Sequence, residues 1–336
     1  MDHAHVVAAA EALAQESCLD PQVSASPLRG GLVSGAVQEI RVTYRGAGGA
    51  RRTVRLVAKE VSGHAVRERW IYQHLDAWRA AAISPRLLAV EELSGDRAVL
   101  YLEAVRRTRA WPWHETRAVA RVLERLAAVH ETTGGAELPR PARWDYDAEL
   151  AEEAPRTVEV LERAARETGV SALGRAVPAA RRVALALPAM RGQLAAFAPL
   201  GTALLHGDVH SGNVLLRRQR GGEEPVLIDW GRARTGSPLE DVSSWLHSLR
   251  TWEPEARRRH DSLVGAYLSR RGMERRLTSD LRDAYWLAGA SNAMAGALTY
   301  QLLAADEAPP GRRRDAAVAA AVDWLRVIRR ADASWS

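Results

Sequence analysis

The hydrophobic periodicity of the chain changes once, near residue 106, and this change constrains the fold most. Before that point, the run 53–61 alternates and is rich in β-branched side chains, and together with other short apolar runs such as 97–105 it predicts five strands. Between the third and fourth strands, residues 65–78 have apolar side chains at helical spacing. Beyond residue 106 the spacing is helical in these long segments: 115–131, 146–167, 175–197, 254–272, 278–304 and 313–330. The sequence therefore predicts an α+β fold with a strand-rich N-terminal lobe over 1–105 and a larger, mainly helical C-terminal lobe over 106–336.

Lysine usage singles out one position. Of the 47 lysine and arginine residues, 46 are arginine, and Lys59 is the only lysine. An ammonium is a compact charge that fits beside polyphosphate oxygens where a flat guanidinium does not. We therefore interpret Lys59, near the end of the predicted strand 53–61, as a phosphate-binding residue, with an ordinary surface lysine as the alternative. Glu68 stands one residue off the apolar stripe of the next helix, so it either pairs with Lys59 or is an exposed helix carboxylate.

The composition of the chain indicates what class of protein it is and in which cellular compartment we expect it. With 47% hydrophobic and 26% charged residues, the chain is typical of a soluble, folded protein, and its longest apolar runs are too short to cross a bilayer. No basic residue precedes Arg29, so we expect no secretory signal. Together with the single cysteine, Cys18, this predicts a cytoplasmic location.

The formal net charge of +6 comes from residues 106–336, which carry 35 basic and 29 acidic side chains, whereas residues 1–105 carry 12 of each. The excess is spread along predicted helices, so we interpret it as solvated helix faces, with an anion-binding patch as the alternative. We therefore expect neither a nucleic acid nor a membrane as a partner, and the oligomeric state is left open.

Two short segments carry oxygen-bearing side chains at the ends of apolar runs. HGDVHSGN (206–213) places Asp208 and Asn213 five residues apart, and LIDW (227–230) contains Asp229. Magnesium prefers hard oxygen ligands and retains waters, so Asn213 and Asp229, together with phosphate oxygens, would form a suitable site. A second carboxylate, Asp208, would accept a hydroxyl proton as the hydroxyl oxygen attacks phosphorus. The D-x-x-x-x-N spacing is that of a kinase catalytic loop, with H-G-D here in place of H-R-D.

With these motifs the chain resembles the aminoglycoside phosphotransferase and choline kinase family of small-molecule kinases, whose motifs are H-G-D-x-H-x-x-N and I-D-W or I-D-F. GSPLED (236–241) is similar to the family's G-x-P-x-x-D, in which the aspartate, here Asp241, is structural. The resemblance covers roughly residues 28–246. It implies a bilobal protein-kinase-like fold with a five-stranded antiparallel sheet plus a helix in the N-terminal lobe. It also implies that Asp208 is the catalytic base, that Asn213 and Asp229 bind magnesium, and that His206 and His210 brace the loop.

The same resemblance implies how ATP, or GTP in its place, is held. Lys59 would bind the α- and β-phosphates and pair with Glu68. The further contacts that it implies are Gly30, Gly31 and Ser34 of a glycine hairpin over the nucleotide and the backbone of Glu103 and Val105 around the adenine. The hairpin departs from the common family form, which has an asparagine near the position of Gly35.

The sequence leaves three functions open. The first is phosphorylation of a hydroxyl on a small molecule, either an antibiotic such as an aminoglycoside, which would confer resistance, or a natural-product or metabolic intermediate. The second is a nucleotide-binding scaffold that assists a partner enzyme in peptide natural-product biosynthesis, although the intact oxygen-bearing positions favour an enzyme. The third, phosphorylation of proteins, is disfavoured because no activation segment is recognisable.

Two further features of the C-terminal lobe bear on the acceptor. The acidic stretch 145–153 is interpreted as a helix start, with a surface for a cationic acceptor as the alternative. His130 is interpreted as a packing residue at a helix end rather than a catalyst.

Overall fold

A computed structural model of the 336-residue chain describes residues 2–28, 37–75, 83–106, 108, 111–195, 200–219 and 222–335. The backbone forms two compact units, each assembled from several segments. The first comprises Met1–Ala110, Leu138–Arg143 and Asn213–Ala233, and the second comprises Trp111–Glu137, Trp144–Gly212 and Arg234–Ser336. Because both units are discontinuous in sequence, the lobe boundary between residues 105 and 106 stays a prediction.

The first unit contains a five-stranded antiparallel sheet in the order β1-β2-β3-β5-β4, which confirms the five predicted strands. The strands of the described chain are β1 (Leu19–Pro27), β2 (Val37–Arg45), β3 (Arg51–Ser62), β4 (Leu87–Ser94), β5 (Arg97–Glu103), β6 (Ala203–Leu205), β7 (Val214–Gln219), β8 (Gly222–Leu227) and β9 (Arg234–Gly236). In the central strand β3, Lys59 pairs with Val37 of β2 and with Leu100 of β5. Lys59 is therefore held on a strand that is bonded on both sides.

One face of this sheet is covered by the helix α1 (His3–Ala14). The buried residues that form this core are Val6, Ala9, Ala10, Cys18, Ile40, Val42, Tyr44, Leu56, Ala58, Val99 and Tyr101. Side chains alternate between the two faces of a strand, so the burial of Leu56 and Ala58 against α1 turns Lys59 to the opposite face. The same unit contains α2 (Glu68–Leu75), which follows a 3₁₀ turn at Gly63–Arg67, and the hairpin β7–β8. Of the predicted helix 65–78, residues 76–78 lie outside the described residues.

The second unit is mainly helical, as predicted. Its helices are α3 (Thr116–Thr132), α4 (Tyr146–Thr168), α5 (Ser171–Ala195), α6 (Leu239–Arg250), α7 (Pro254–Arg258), α8 (His260–Arg270), α9 (Ser279–Asn292), α10 (Leu298–Glu307) and α11 (Arg312–Trp335). The predicted segment 254–272 is two helices separated at Arg259, and 278–304 is interrupted by a π-helical turn at Ala293–Ala297. Strands β6 and β9 pair antiparallel, with Leu205 opposite Arg234. None of the helices described has the apolar length needed to cross a bilayer.

Candidate active site

A lysine and two carboxylates meet in the first unit. Nζ of Lys59 donates to Oε2 of Glu68 at 2.6 Å and to Oδ1 of Asp229 at 2.8 Å. The side chains of Lys59 and Glu68 are 9% and 0% exposed, whereas that of Asp229 is 44% exposed. We call these three residues the Lys59 cluster. One cation thus lies between a sealed carboxylate and an accessible one.

The local fold fixes both carboxylates of the cluster. Glu68 is the first residue of α2, and its second oxygen, Oε1, accepts the backbone N–H of Trp230 at 3.0 Å. Asp229 has a left-handed backbone with φ of 65°, a conformation that costs less for Asp than for most residues but still needs support. The bond from Trp230 to Glu68 supplies that support directly after Asp229.

Arg67 is a site residue that the sequence reasoning missed. Its guanidinium is buried and donates to the carbonyls of Gly231 at 3.0 Å, Ala142 at 3.1 Å and Ala233 at 2.5 Å. Arg67 therefore anchors the segment that follows Asp229 to the start of α2. Nothing in the sequence marks it among 46 arginines except its position next to Glu68.

The electrostatics of the Lys59 cluster follow from burial and charge. Burial alone would lower the pKa of the Lys59 ammonium, but Glu68 and Asp229 outweigh it and raise the pKa above its usual value. Complete burial raises the pKa of the Glu68 carboxyl, although Lys59 opposes the shift. Lys59 therefore stays charged at neutral pH.

Asn213 and Asp229 form a donor set at one end of the hairpin β7–β8. Asn213 directly precedes β7, and its carbonyl accepts the N–H of Ile228 at 2.9 Å, next to Asp229. Within the described ranges, no group of three or more His, Cys, Asp and Glu side chains could hold a metal. One carboxylate and one carboxamide from adjacent strand ends fit a magnesium ion that takes its remaining oxygens from substrate and water.

In the second unit, the loop 206–212 is held through its backbone. Asp241 is buried, and its two carboxylate oxygens accept the N–H groups of His206 at 2.8 Å and Gly207 at 2.9 Å. Asp208 donates its N–H to Nδ1 of His206 at 3.3 Å, and its side chain is 41% exposed. His210 accepts the N–H of Gly212 at 3.0 Å and places Nε2 3.7 Å from Oδ2 of Asp208. The loop is thus rigidly bonded while the carboxylate of Asp208 remains accessible.

His130 supports this loop from the interior. It is fully buried near the end of α3, with Nε2 3.2 Å from Oδ2 of Asp241 and Nδ1 2.8 Å from the hydroxyl of Tyr267. Burial would raise the pKa of the Asp241 carboxyl, but the hydrogen bonds that it accepts from His130 and from the backbone of Gly207 lower it below its usual value. His130 is therefore an interior packing residue, in line with its interpretation from the sequence.

The remaining predicted nucleotide contacts are only partly described. Gly30, Gly31 and Ser34 lie outside the described residues. Glu103 ends β5, donates its N–H to the carbonyl of Arg86 at 2.9 Å, and places its carboxylate 3.3 Å from Arg217. Val105 lies two residues beyond the strand. Their contact with adenine stays a prediction.

A basic basin of about 690 Å³ lies on the first unit beside this segment. It is lined by Arg41, Thr43, Arg51, Thr53, Arg55, Ala104 and Arg106. Arg41 faces Arg55 across β2 and β3, and strand alternation puts Arg55 on the same sheet face as Lys59. Residues 1–105 carry equal numbers of basic and acidic side chains, so the charge count of the sequence did not indicate that arginines gather at this basin.

A comparison with protein-family models decides the identity. The model of the phosphotransferase enzyme family matches residues 35–278, which is more than half of the chain. The chain belongs to this family. In this phosphotransferase, the match includes the Lys59 cluster, Asn213, Asp208 and Asp241. No curated protein sequence matches the chain.

Several solved structures share the fold of this phosphotransferase. Aminoglycoside phosphotransferase from Alicyclobacillus acidocaldarius is 20% identical, with 88% of each chain covered and a TM-score of 0.53. Choline kinase from Cryptosporidium parvum Iowa II is 10% identical, with 92% of this chain and 88% of that chain covered and a TM-score of 0.56. A thermostable mutant of aminoglycoside phosphotransferase APH(4)-Ia, in a ternary complex with ADP and hygromycin B, is 18% identical, with coverages of 91% and 94% and a TM-score of 0.50. The fold is therefore protein-kinase-like, as the sequence predicts.

Proposed function

We propose that this phosphotransferase moves the γ-phosphoryl group of ATP, in the presence of Mg²⁺, to a hydroxyl of a small molecule. The acceptor is an antibiotic such as an aminoglycoside, or a natural-product or metabolic intermediate. The observation that carries the proposal is the Lys59 cluster. In it, the buried, charged ammonium of Lys59 is bonded to the exposed carboxylate of Asp229, and this carboxylate can bind another cation in place of the ammonium. The single cysteine, Cys18, supports a cytoplasmic site of action.

The first unit supplies the residues that bind the nucleotide in this proposal. Lys59, kept in place by Glu68, would donate to the α- and β-phosphate oxygens, while Asp229 and Asn213 would hold Mg²⁺. Magnesium, when bound, neutralises charge on the phosphate oxygens. Gly30, Gly31 and Ser34, which lie outside the described residues, keep their predicted role over the phosphates, and the backbone of Glu103 and Val105 keeps its predicted role around the adenine.

Asp208 supplies the proton chemistry. As the acceptor oxygen bonds to the γ-phosphorus, the hydroxyl proton passes to a carboxylate oxygen of Asp208. The bond between the γ-phosphorus and the β,γ-bridging oxygen breaks, and ADP leaves with the electron pair of that bond. The exposure of Asp208, on a loop whose backbone is bonded to Asp241 and His206, supports this role.

The similar structures support the proposed pair of substrates. One of them holds ADP together with hygromycin B, and another is a choline kinase. Both names refer to a small molecule, hygromycin B or choline, rather than to a protein. The same chemistry fits the donor set of this chain, which lacks a recognisable protein-kinase activation segment.

The proposal is tested with purified full-length protein, ATP and Mg²⁺ against a pooled panel of hydroxylated antibiotics and metabolites, with phosphate transfer followed by mass spectrometry. We expect phosphate on at least one compound, and Asp208→Asn lowers its turnover about 10²- to 10⁴-fold while ATP affinity stays within about twofold. Asp280→Asn, an exposed carboxylate at the start of α9, is the matched control and retains wild-type turnover. Wild-type turnover by Asp208→Asn contradicts the proposed base. ATP binding without transfer to any compound supports the scaffold instead.

A further inference from the structure

The peptide group between Gly207 and Asp208 is bonded at both of its ends. Its carbonyl oxygen accepts Nη1 of Arg234 at 3.3 Å, and its N–H donates to Nδ1 of His206 at 3.3 Å. Gly207 has φ of 80°, in the left-handed region where glycine moves easily between conformations. The two bonds therefore fix a peptide plane that the sequence itself leaves mobile.

Arg234 reaches this carbonyl because of its register in the sheet. It lies on β9 opposite Leu205 of β6, one residue before His206. Its side chain is 3% exposed, and its Cζ lies 3.8 Å from the ring centroid of Tyr146. Its Nη2 bonds to Oε2 of Glu240 at 2.5 Å. Because the Arg234 guanidinium is buried, bonded to Glu240 and packed against Tyr146, it has little freedom to move away from the Gly207 carbonyl.

We propose that Arg234 is a positioning residue for Asp208: its guanidinium fixes the Gly207–Asp208 peptide and thereby the direction in which the carboxylate of Asp208 points. The proposal rests on the proposed function, in which Asp208 is the base. A base must lie within hydrogen-bond reach of the proton that it accepts, so rotation of this peptide displaces the carboxylate and slows transfer. The carboxylate of Asp241 accepts the preceding N–H groups of His206 and Gly207 but has no proton to donate to the Gly207 carbonyl, a contact that Arg234 supplies.

Arg191 offers a matched control within the same group of charges. Its Nη1 lies 3.2 Å from Oε2 of Glu240, and its Cζ lies 4.6 Å from the same Tyr146 ring. Its side-chain bonds in the described structure go to Asp147, Glu240 and Ser291, and none of the three goes to the loop 206–212. We call Arg191, Arg234 and Glu240 the Arg234 cluster. Both arginines contact Glu240, but only Arg234 of the two contacts Gly207. A difference in behaviour between Arg234→Met and Arg191→Met therefore reports the contact to Gly207.

The first measurement is hydrogen–deuterium exchange of the full-length protein, read at the amides of Gly207 and Asp208. We expect Arg234→Met to raise the exchange rate of the Asp208 amide about tenfold or more, because its peptide plane is released. Arg191→Met leaves that rate within about twofold. An unchanged Asp208 amide in Arg234→Met overturns the proposal, and this result needs no acceptor.

The second measurement is turnover of an acceptor identified by the panel. We expect Arg234→Met to lower kcat about 10- to 100-fold with the KM for ATP unchanged, whereas Arg191→Met retains kcat within about twofold. Arg234→Lys keeps a charge for Glu240 but lacks the planar fork that reaches two acceptors, so kcat stays low. Full rescue of kcat by lysine would mean that Arg234 only balances Glu240, and the proposal would fail.

A folding defect is separated by a double variant. Arg234→Met combined with Glu240→Gln removes one cation and one carboxylate together, so the net charge of the group is that of Arg191 alone, which keeps its bonds to Asp147 and Ser291, and the variant still lacks the bond to Gly207. We expect its Asp208 amide to exchange fast and its kcat to stay low; slow exchange or restored kcat overturns the proposal. If wild-type protein transfers phosphate to no compound, the proposed function fails, and the exchange rates alone decide whether Arg234 fixes the peptide.

Discussion

Each of the two units contains a largely buried group of charged side chains, the Lys59 cluster in the first and the Arg234 cluster in the second. The two clusters differ in whether carboxylates or cations are more numerous and in whether a carboxylate is accessible to solvent. The Lys59 cluster has one cation and two carboxylates, and one carboxylate, Asp229, is 44% exposed. The Arg234 cluster has two cations around one carboxylate, Glu240, which is 2% exposed. Asp229 is exposed and the Lys59 cluster has more carboxylates than cations, so Asp229 can bind a metal ion in place of Lys59. Glu240 is buried between two guanidiniums and cannot. The Lys59 cluster is therefore suited to binding a cation, whereas the Arg234 cluster is suited to a permanent structural role.

The pKa directions express the same difference. Burial would raise the pKa of the Glu240 carboxyl, but Arg234 and Arg191 outweigh it and lower the pKa below its usual value. In the Lys59 cluster, burial prevails and the pKa of Glu68 is raised. Glu240 is therefore stabilised as a carboxylate, whereas Glu68 is kept ionised at some cost. The following experiments test whether the clusters respond as differently as this implies.

The largest effect is expected from neutralising the sealed carboxylate. Glu240→Gln leaves two largely buried guanidiniums without their shared partner, and we expect the free energy of unfolding to fall by about 3–5 kcal/mol in urea denaturation. Glu255→Gln removes an exposed carboxylate paired with Arg258 and Arg259, and it serves as the control with a loss of at most about 1 kcal/mol. Equal losses in the two variants would contradict the sealed character of the Arg234 cluster.

A smaller loss is expected when the cation of the other cluster is removed. Lys59→Met leaves Glu68 buried without its ammonium, and we expect about 2–3 kcal/mol of stability to be lost at pH 7. Because the pKa of Glu68 is already raised, this carboxyl can take up a proton, so the loss shrinks when urea denaturation is repeated at pH 5. A loss that is the same at both pH values would show that Glu68 stays ionised.

The two carboxyls should give opposite pH dependences. A carboxyl with a lowered folded pKa adds stability above the unfolded value of about 4.5 and loses it as the pH falls further. The stability of wild type relative to Glu240→Gln should therefore fall below pH 4.5, by at most about 1.4 kcal/mol per pH unit. Relative to Glu68→Gln it should rise as the pH falls towards 4.5, because the folded state takes up the proton first. Urea denaturation from pH 7 to pH 3 measures both slopes, and slopes of the same sign would remove the distinction.

The smallest effect on stability is expected at the exposed carboxylate. Asp229→Asn keeps a side chain that tolerates the left-handed backbone, so we expect the free energy of unfolding to change by at most about 1 kcal/mol. The affinity for ATP in the presence of Mg²⁺ should nevertheless fall at least about tenfold in calorimetric titration. A large loss of stability with unchanged affinity would make Asp229 a structural residue like Glu240.

Much of the fold could be predicted from the sequence because its signals are local. The strand alternation around Lys59 and the helical spacing after residue 106 give the five-stranded sheet and the helical second unit. The break at Arg259 and the π-helical turn at Ala293–Ala297 were not predicted, because helical periodicity continues across both. Local spacing shows that a segment is helical and says less about where it is interrupted.

The candidate site divides in the same way. Asp208, Asn213 and Asp229 could be chosen because each stands close to the end or the start of an apolar run within a recognisable motif. Arg67 and Arg234 could not, because buried and solvated arginines look alike in a chain where 46 of 47 basic residues are arginine. Asp145, in the acidic stretch 145–153, accepts the N–H of Ala148 at 2.9 Å, which supports its interpretation as a helix start.

The sequence by itself determined the order of strands and helices, the unusual lysine and the family motifs, since these depend on neighbouring residues. The tertiary structure decided which charges are sealed, which are exposed and which arginines gather at one basin. Those outcomes depend on contacts between distant positions, such as Lys59 with Asp229, which are 170 positions apart in sequence, or Arg67 with Ala233, which are 166 positions apart. Whether a charge is desolvated is a property of everything packed around it, and a one-dimensional pattern does not contain that information.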